Sequence, residues 1–156
     1  MKMSNFLKLI TCVIVSEAAG VIGSFFTVSA IPTWYATLQK PPLNPPGWLF
    51  GPVWVTLYLL MGISLWLIWK SNAKEKKKAL WLFFAQLILN AIWSPVFFGV
   101  QSIGGSLAII VLLWVVIVLT ILVFTKISKT AAWLLIPYIL WVSFAAYLNF
   151  GIWILN

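Results

Sequence analysis

Five runs of apolar residues, each near the ~20 residues a helix needs to cross the hydrocarbon core of a bilayer, follow one another along this chain with only brief interruptions. Of the 156 residues, 63% are hydrophobic and 8% charged, too little polar surface to cover a water-soluble globule. The chain therefore reads as an all-α membrane protein. It is expected to form one domain over residues 1–156, a single bundle of five transmembrane helices at about 6–30, 48–69, 79–99, 103–125 and 131–155. No room is left for an extramembrane domain, so function is expected inside the bundle. The first span ends in Val28-Ser29-Ala30, which fits a signal-peptidase site, yet it is long against the roughly 7–15-residue core of a signal peptide and should be retained.

Charge narrows the function further. The net charge of +8 comes from ten lysines against Glu17 and Glu75, with no histidine. The lysines sit in short loops between apolar spans and not on a soluble face, which argues against nucleic-acid binding. With one cysteine, Cys12, and two carboxylates far apart, there is no ligand set for a metal and no hydrolytic triad. On a five-helix path Lys2, Lys8, Lys70, Lys74, Lys76, Lys77, Lys78, Lys126 and Lys129 share one side, and Lys40 stands alone on the other. The positive-inside rule then puts the amino terminus in the cytoplasm of a multi-pass cell-membrane protein. The loop at 34–47 and the carboxy terminus would face outward.

One segment cannot be ordinary membrane helix. Trp34 to Trp54 carries five prolines and two glycines. Each proline fixes φ, lacks a donor and drives the residue before it from the helical region, so Lys40 to Gly47 must be irregular. Linkers carry Ser, Gly and charge, whereas this stretch carries Trp34, Tyr35, Leu38, Trp48 and Phe50, rings that gain by burial. It reads as an ordered Pro/Trp-rich lid between the first and second helices.

The spans differ in what they carry. In the first, Ser16, Gly20, Gly23 and Thr27 make a small-residue stripe that lets a neighbour approach, while Glu17 is either a structural acid near the bundle interior or a functional one. The second places Gly51, Trp54, Tyr58, Met61 or Gly62, and Leu65 on one face, core or pocket wall. The third aligns Gln86, Asn90, Trp93, Ser94 and Phe97, a stripe that must turn from lipid towards either partner helices or a cavity. The fourth has almost nothing polar beyond Trp114 and reads as lipid-facing scaffold. The fifth, capped by Ser128 or Thr130, sets Pro137, Trp141, Ala145, Leu148 and Asn149 on one face, a shaped groove; Trp133, Tyr138 and Trp153 lie nearer its ends, where amphipathic rings prefer the interface. Five crossings do not divide into equal inverted halves, which disfavours a transporter working within one chain.

The Trp34-Tyr35 pair, Lys40-Pro41-Pro42, Asn44-Pro45-Pro46-Gly47 and Pro52-Val53-Trp54 resemble the first loop and second helix of the TspO/MBR family, the tryptophan-rich sensory proteins related to the translocator protein or peripheral benzodiazepine receptor. The likeness continues through Asn90-Ala-Ile-Trp93-Ser94-Pro95-Val-Phe97-Phe98-Gly99 and from Ala132 to Ala145, in the family's order. Where the family more often has Trp-Thr before Pro-Pro-Gly, this chain has Leu43-Asn44.

The residues and the resemblance together give an expected ligand site: Trp34, Tyr35 and Pro46 as roof, and Trp54, Tyr58, Asn90, Trp93, Phe97, Trp141 and Ala145 as walls. Lys40 could meet a ligand carboxylate. The resemblance implies porphyrin-type ligands, protoporphyrin IX or haem, held without a covalent bond, and light- and oxygen-dependent porphyrin breakdown in which Trp54 and Trp141 take part. A homodimer in membrane lipid is the expected assembly. Cholesterol is not expected, because no Lys or Arg follows Tyr147. The alternative from another class is a small proton-coupled exporter of hydrophobic compounds built around Glu17.

Overall fold

The computed structural model describes residues 3–156; Lys2, counted above with the lysine-rich side, lies outside them. The chain is helical throughout, with no strand among the described residues. Helix α1 is Asn5–Ala30, α2 the short Trp34–Thr37, α3 Phe50–Trp69 after a 3-10 turn at Gly47–Leu49, and α4 Lys76–Ser94. A π-helical turn, Pro95–Gly99, extends α4, and α5 is Ile103–Thr125, α6 Lys129–Trp133 and α7 Ile136–Leu155. Five of these segments, Asn5–Ala30, Gly47–Trp69, Lys76–Gly99, Ile103–Thr125 and Lys129–Leu155, are long and apolar enough to cross a membrane. In lipid a helix satisfies its own backbone donors and acceptors, which is why runs this apolar settle as helices.

Local chemistry explains the boundaries. The Ser4 side chain accepts from Leu7 N at 3.2 Å and starts α1. Ser128, one of two caps considered for the last span, accepts from Ala131 N at 3.2 Å. That span is broken, however. Pro137 lacks an N–H and its ring would meet the carbonyl four residues back, so α6 ends at Trp133 and α7 begins at Ile136. The third span starts three residues earlier than expected, at Lys76: Lys76, Lys77 and Lys78 extend the helix while their ammonium groups reach out of it.

In the bundle α1 lies against both α3 and α4, α4 against α5, and α5 against α6 and α7. At Gly62 of α3 two helix backbones come close: an added Cβ would stand 2.6 Å from Val13 Cα. Ser64 Oγ donates to Ala131 O at 2.7 Å and ties α3 to α6. The fourth span is not simply lipid-facing: Ser106, Ile110, Leu113, Ile117, Thr120, Val123 and Phe124 form a buried face of α5, and Phe124 stacks on Phe83 with centroids 6.3 Å apart. The other face, with Val111, Leu112, Val115, Leu119 and Leu122, is exposed. Lys8, Lys70, Lys126 and Lys129 mark one end of the bundle, with Lys70 Nζ lying 4.0 Å from the Trp66 ring centroid. The Pro/Trp-rich loop marks the other.

That loop is ordered by contacts along its length. Gln39 N donates to Asn156 Oδ1 and Asn156 Nδ2 returns a bond to Gln39 O, each at 3.0 Å. Tyr147 OH donates to Pro42 O at 3.0 Å, and Gly151 lets the Pro41 ring approach α7, where a Cβ would be 2.6 Å from Pro41 Cγ. Leu43, at φ 71°, completes the turn after Pro42. Trp48 departs from the expectation of burial: it is 72% exposed at the start of the second span, a position that suits an amphipathic ring at a membrane interface.

Candidate functional site

A cavity of about 460 Å³ lies in the loop half of the bundle, walled by α1, α3, α4 and α7. Its position follows from the helix packing. α1 and α3 are locked together at Gly62 and Val13, nearer the lysine end, while α3 stays apart from α7 over most of its length. Trp54, Tyr58, Asn90, Trp93, Trp141 and Ala145, all expected at the site, line this space. The exposed residues Val21, Val28, Val55 and Trp48 also border it, so it opens sideways between α1 and α3.

Four expected residues do not line the cavity. Tyr35 and Phe97 are buried behind it, with Trp34 packing edge-on against Phe97 at 5.4 Å and Tyr35 against the same ring at 6.2 Å. They brace the roof without forming its surface. Pro46 precedes the 3-10 turn and accepts from Leu49 N at 3.0 Å. The Tyr35 phenol donates to Asn44 Oδ1 at 2.6 Å, and burial pushes its pKa up to about 12 against the lowering effect of that bond, so it remains a donor holding the loop. Lys40 is turned away as well. Its Nζ donates to Leu38 O at 3.0 Å and stands 4.9 Å from the Tyr35 ring centroid.

The π-helical turn explains the substitution at Phe97. A regular helix continued from Asn90 would bring Phe97 to the same face, but the wider turn at Pro95–Gly99 shifts the register and presents Phe98 to the cavity beside Ser94. Trp93 stacks on Phe97 at 5.2 Å and donates from Nε1 to Asn149 Oδ1 at 3.1 Å. Asn149 in turn donates to Ile103 O at 3.1 Å. That amide ties α4, α5 and α7 together and is not a groove wall.

From the cavity a polar chain runs into the core. Tyr58 OH donates to Asn90 Oδ1, Asn90 Nδ2 donates to Tyr138 OH at 3.0 Å, and Tyr138 OH donates to Gln86 Oε1 at 2.7 Å. Tyr138, read from sequence as an interface ring, is fully buried at the centre of this chain. Trp133 and Trp153 are exposed, at 71% and 52%. Side-chain bonds between membrane helices average about 0.6 kcal/mol each, so the chain specifies helix positions more than it stabilises them.

The two indoles of greatest interest come from different helices, Trp54 from α3 and Trp141 from α7. Trp54 is stacked on Tyr58, centroids 5.5 Å apart and planes 27° from parallel. Trp141 is held edge-on by Phe50 at 6.2 Å. Its indole Nε1 is covered and has no hydrogen-bond partner. Sequence reasoning singled out Glu17 but not its place: it lines the cavity together with Gly20, Ser24 and Thr27. The spacing of 17, 20 and 24 on one helical face was the available signal. Gly20 is required there because a Cβ would collide with the Tyr58 ring. The described residues contain no group of three His, Cys, Asp or Glu side chains able to hold a metal ion, and Cys12 is packed in the core.

Comparison with known proteins agrees with this architecture. The profile of the TspO/MBR family matches residues 12–154. The Tryptophan-rich protein TspO of Chlorobaculum tepidum is 49% identical over 156 residues, covering 97% of this chain and 98% of the relative. That of Archaeoglobus fulgidus is 43% identical over 152 residues, 97% and 99% of the two chains. The Translocator protein of Bos taurus is 39% identical over 137 residues, 86% of this chain and 81% of the relative. A five-span bundle with an ordered Pro/Trp-rich loop and a family match from residue 12 to residue 154 has one reading: this chain is a multi-pass membrane protein of the TspO/MBR family.

Proposed function

We propose that the cavity binds a flat, largely apolar tetrapyrrole such as protoporphyrin IX or haem, and that the protein senses it or promotes its breakdown under light and oxygen. The observation that carries this reading is the placing of two indoles, Trp54 and Trp141, in the wall of one apolar cavity of about 460 Å³, within the range of small-molecule sites. Ring faces supply most of the contact, and a few polar groups fix orientation. A macrocycle too large to be enclosed can extend through the side opening between α1 and α3. The chain has no histidine, so haem, like protoporphyrin, would be held by ring contact and not by the usual imidazole on iron. The relative from Cereibacter sphaeroides, 35% identical over 123 residues, carries the name Tryptophan-rich sensory protein, which accords with a sensing role.

For breakdown, the protein's part is to hold an oxidisable indole beside the ring. Trp54→Phe and Trp141→Phe keep an aromatic contact but remove the easily oxidised group. Both variants are expected to retain most protoporphyrin binding and to lose protein-dependent bleaching, followed by absorbance under illumination in air at matched occupancy. Bleaching at the wild-type rate in both would reduce the indoles to walls and the protein to a binder.

The same reading places the amino terminus in the cytoplasm, and the cavity in the outer half of the membrane. Lysine asymmetry between the two ends supports it. In intact cells carrying Cys12→Ser, a membrane-impermeant thiol reagent should label Leu43→Cys, in the exposed turn, and not Asn72→Cys. The reverse pattern would invert the orientation.

A further inference from the structure

Four indoles line the cavity, Trp48, Trp54, Trp93 and Trp141, and their surroundings differ. Trp93 packs on Phe97 and Phe98, and Trp141 on Phe50 and Phe144. Trp54 has phenols for neighbours. It stacks on Tyr58, and Tyr138 lies edge-on to it with centroids 6.4 Å apart. The chain holds 11 tryptophans and four tyrosines, yet among the described residues these two are the only contacts between an indole and a phenol ring. The difference is chemical, because a phenol whose proton can leave is oxidised about as readily as an indole, whereas the ring of phenylalanine is far harder to oxidise. Tyr58 is the better placed of the two phenols, since it borders the cavity while Tyr138 is fully buried. Its OH donates to Asn90 Oδ1, and an acceptor so placed stabilises the positive charge that an electron leaves behind. Gly20 fixes the ring in the stack, for a Cβ there would collide with it.

We propose that Tyr58 is the electron donor that restores Trp54 after one-electron oxidation, so that the two indoles have different fates: Trp54 is renewed, and Trp141, backed by phenylalanine alone, keeps its damage. The use of this step rests on the tetrapyrrole reading, but the step itself does not. In porphyrin breakdown the Trp54 indole gives one electron to the light-excited porphyrin, oxygen takes that electron on and becomes superoxide, and the indole N–H proton leaves through the cavity. The indolyl radical then takes one electron from Tyr58 across the ring stack. The phenol O–H bond breaks, its proton passes by way of the open cavity to the indole nitrogen, and the N–H bond forms again. The balance is one electron and one proton from Tyr58 to oxygen, with a phenoxyl radical left on Tyr58 and Trp54 intact. Rings in van der Waals contact exchange electrons without needing to move, so the stack at 5.5 Å suffices. Trp141 has no such partner: the rings beside it are Phe50 and Phe144.

The test needs no porphyrin. Azide radical, made by pulse radiolysis, oxidises tryptophan in preference to tyrosine, and the indolyl and phenoxyl radicals have distinct absorption bands. In the full chain in detergent, part of the indolyl band should decay as the phenoxyl band rises at the same rate. Trp54→Phe and Tyr58→Phe should each lose that linked rise, and Trp141→Phe should keep it. Phenylalanine preserves the ring contacts, so a purely structural role for either side chain would leave the yield unaltered. A linked rise that is missing from wild-type protein, that survives Trp54→Phe or Tyr58→Phe, or that is lost equally in Trp141→Phe overturns the proposal; survival in Tyr58→Phe would move the donor to Tyr138 or beyond. A second arm illuminates the protein with protoporphyrin IX in air and locates added oxygen by peptide mass spectrometry. Trp141 should carry more than Trp54 in wild type, and Tyr58→Phe should remove the difference; equal oxidation of the two indoles in wild type would contradict the renewal of Trp54. Protoporphyrin that neither binds nor bleaches would end the tetrapyrrole reading and leave the radiolysis result to decide this one.

Discussion

Gly62→Val is expected to prevent α1 and α3 from closing and to lower stability by about 3 kcal/mol, the upper range for overpacking a tight interface. The space a side chain would need is occupied by backbone: an added Cβ would lie 2.6 Å from Val13 Cα and 3.0 Å from Val13 N. A flexible neighbour can rotate away, but a helix backbone can yield only by moving the helix. Small residues at such crossings are how membrane helices gain contact where no hydrophobic driving force separates them from lipid. Thermal unfolding in detergent, followed by circular dichroism, measures the loss. Gly51→Ala is the control, because a Cβ there meets nothing within 4 Å and alanine favours helix; its transition should be unchanged or slightly raised. An unchanged transition for Gly62→Val would mean that the crossing is looser than described.

Asn90→Leu carries the second large effect. Its amide accepts from Tyr58 and donates to Tyr138, so an apolar replacement of similar volume leaves two buried or half-covered hydroxyls short of a partner. Leaving a buried group without its partner costs about 1–3 kcal/mol, more than the roughly 0.6 kcal/mol that such a bond contributes net when it is made, and Asn90 serves two partners. Tyr58→Phe alone should cost less, since only the donor end of the chain is lost. The double variant should cost clearly less than the two single changes added, because both remove the same bond. Strict additivity in thermal or denaturant unfolding would show that the chain does not act as a unit.

Much of this is legible in the amino-acid sequence. Apolar runs set the number of spans, because a bilayer admits few alternatives, and the prolines between Lys40 and Gly47 ruled helix out of that loop. The stripe through Gln86 and Asn90 announced that α4 turns inward. What it could not announce was the partner. Tyr138 stands only a few residues into the fifth span as read from sequence, but at 1.5 Å per residue it lies about 13 Å along from Lys129, and packing against neighbouring helices buries it fully. Phe97 lies behind the cavity wall for a different reason. A period of 3.6 residues assumes an unbroken helix, and Pro95 introduces a wider turn that exchanges Phe97 for Phe98. Glu17 was visible as an anomaly, yet its place in the cavity wall depends on how closely α1 and α3 approach, which is a property of the pair and not of either segment.

The roof shows the same limit. Trp34, Tyr35 and Pro46 are near the ligand space in sequence order, and aromatic residues in a proline-rich loop must bury their rings somewhere. They do so against Phe97 and Phe98, on the far side of the cavity wall. A sequence shows that a ring needs covering, but the choice between a ligand and another ring as the cover is made by tertiary packing.

The central claim, that the space between α1, α3, α4 and α7 is the ligand site, is tested most directly by titrating protoporphyrin IX into the purified protein and into two variants, with tryptophan fluorescence as the readout. Ser24→Phe fills the cavity from the exposed side of α1 without disturbing the core, and Trp153→Ala removes an exposed ring outside it. The account predicts saturable binding to wild-type protein, affinity reduced by about tenfold or more in Ser24→Phe, as for loss of a central contact, and affinity close to wild type in Trp153→Ala. Wild-type affinity in Ser24→Phe, or a loss confined to Trp153→Ala, would place the porphyrin elsewhere on the protein and contradict the assignment.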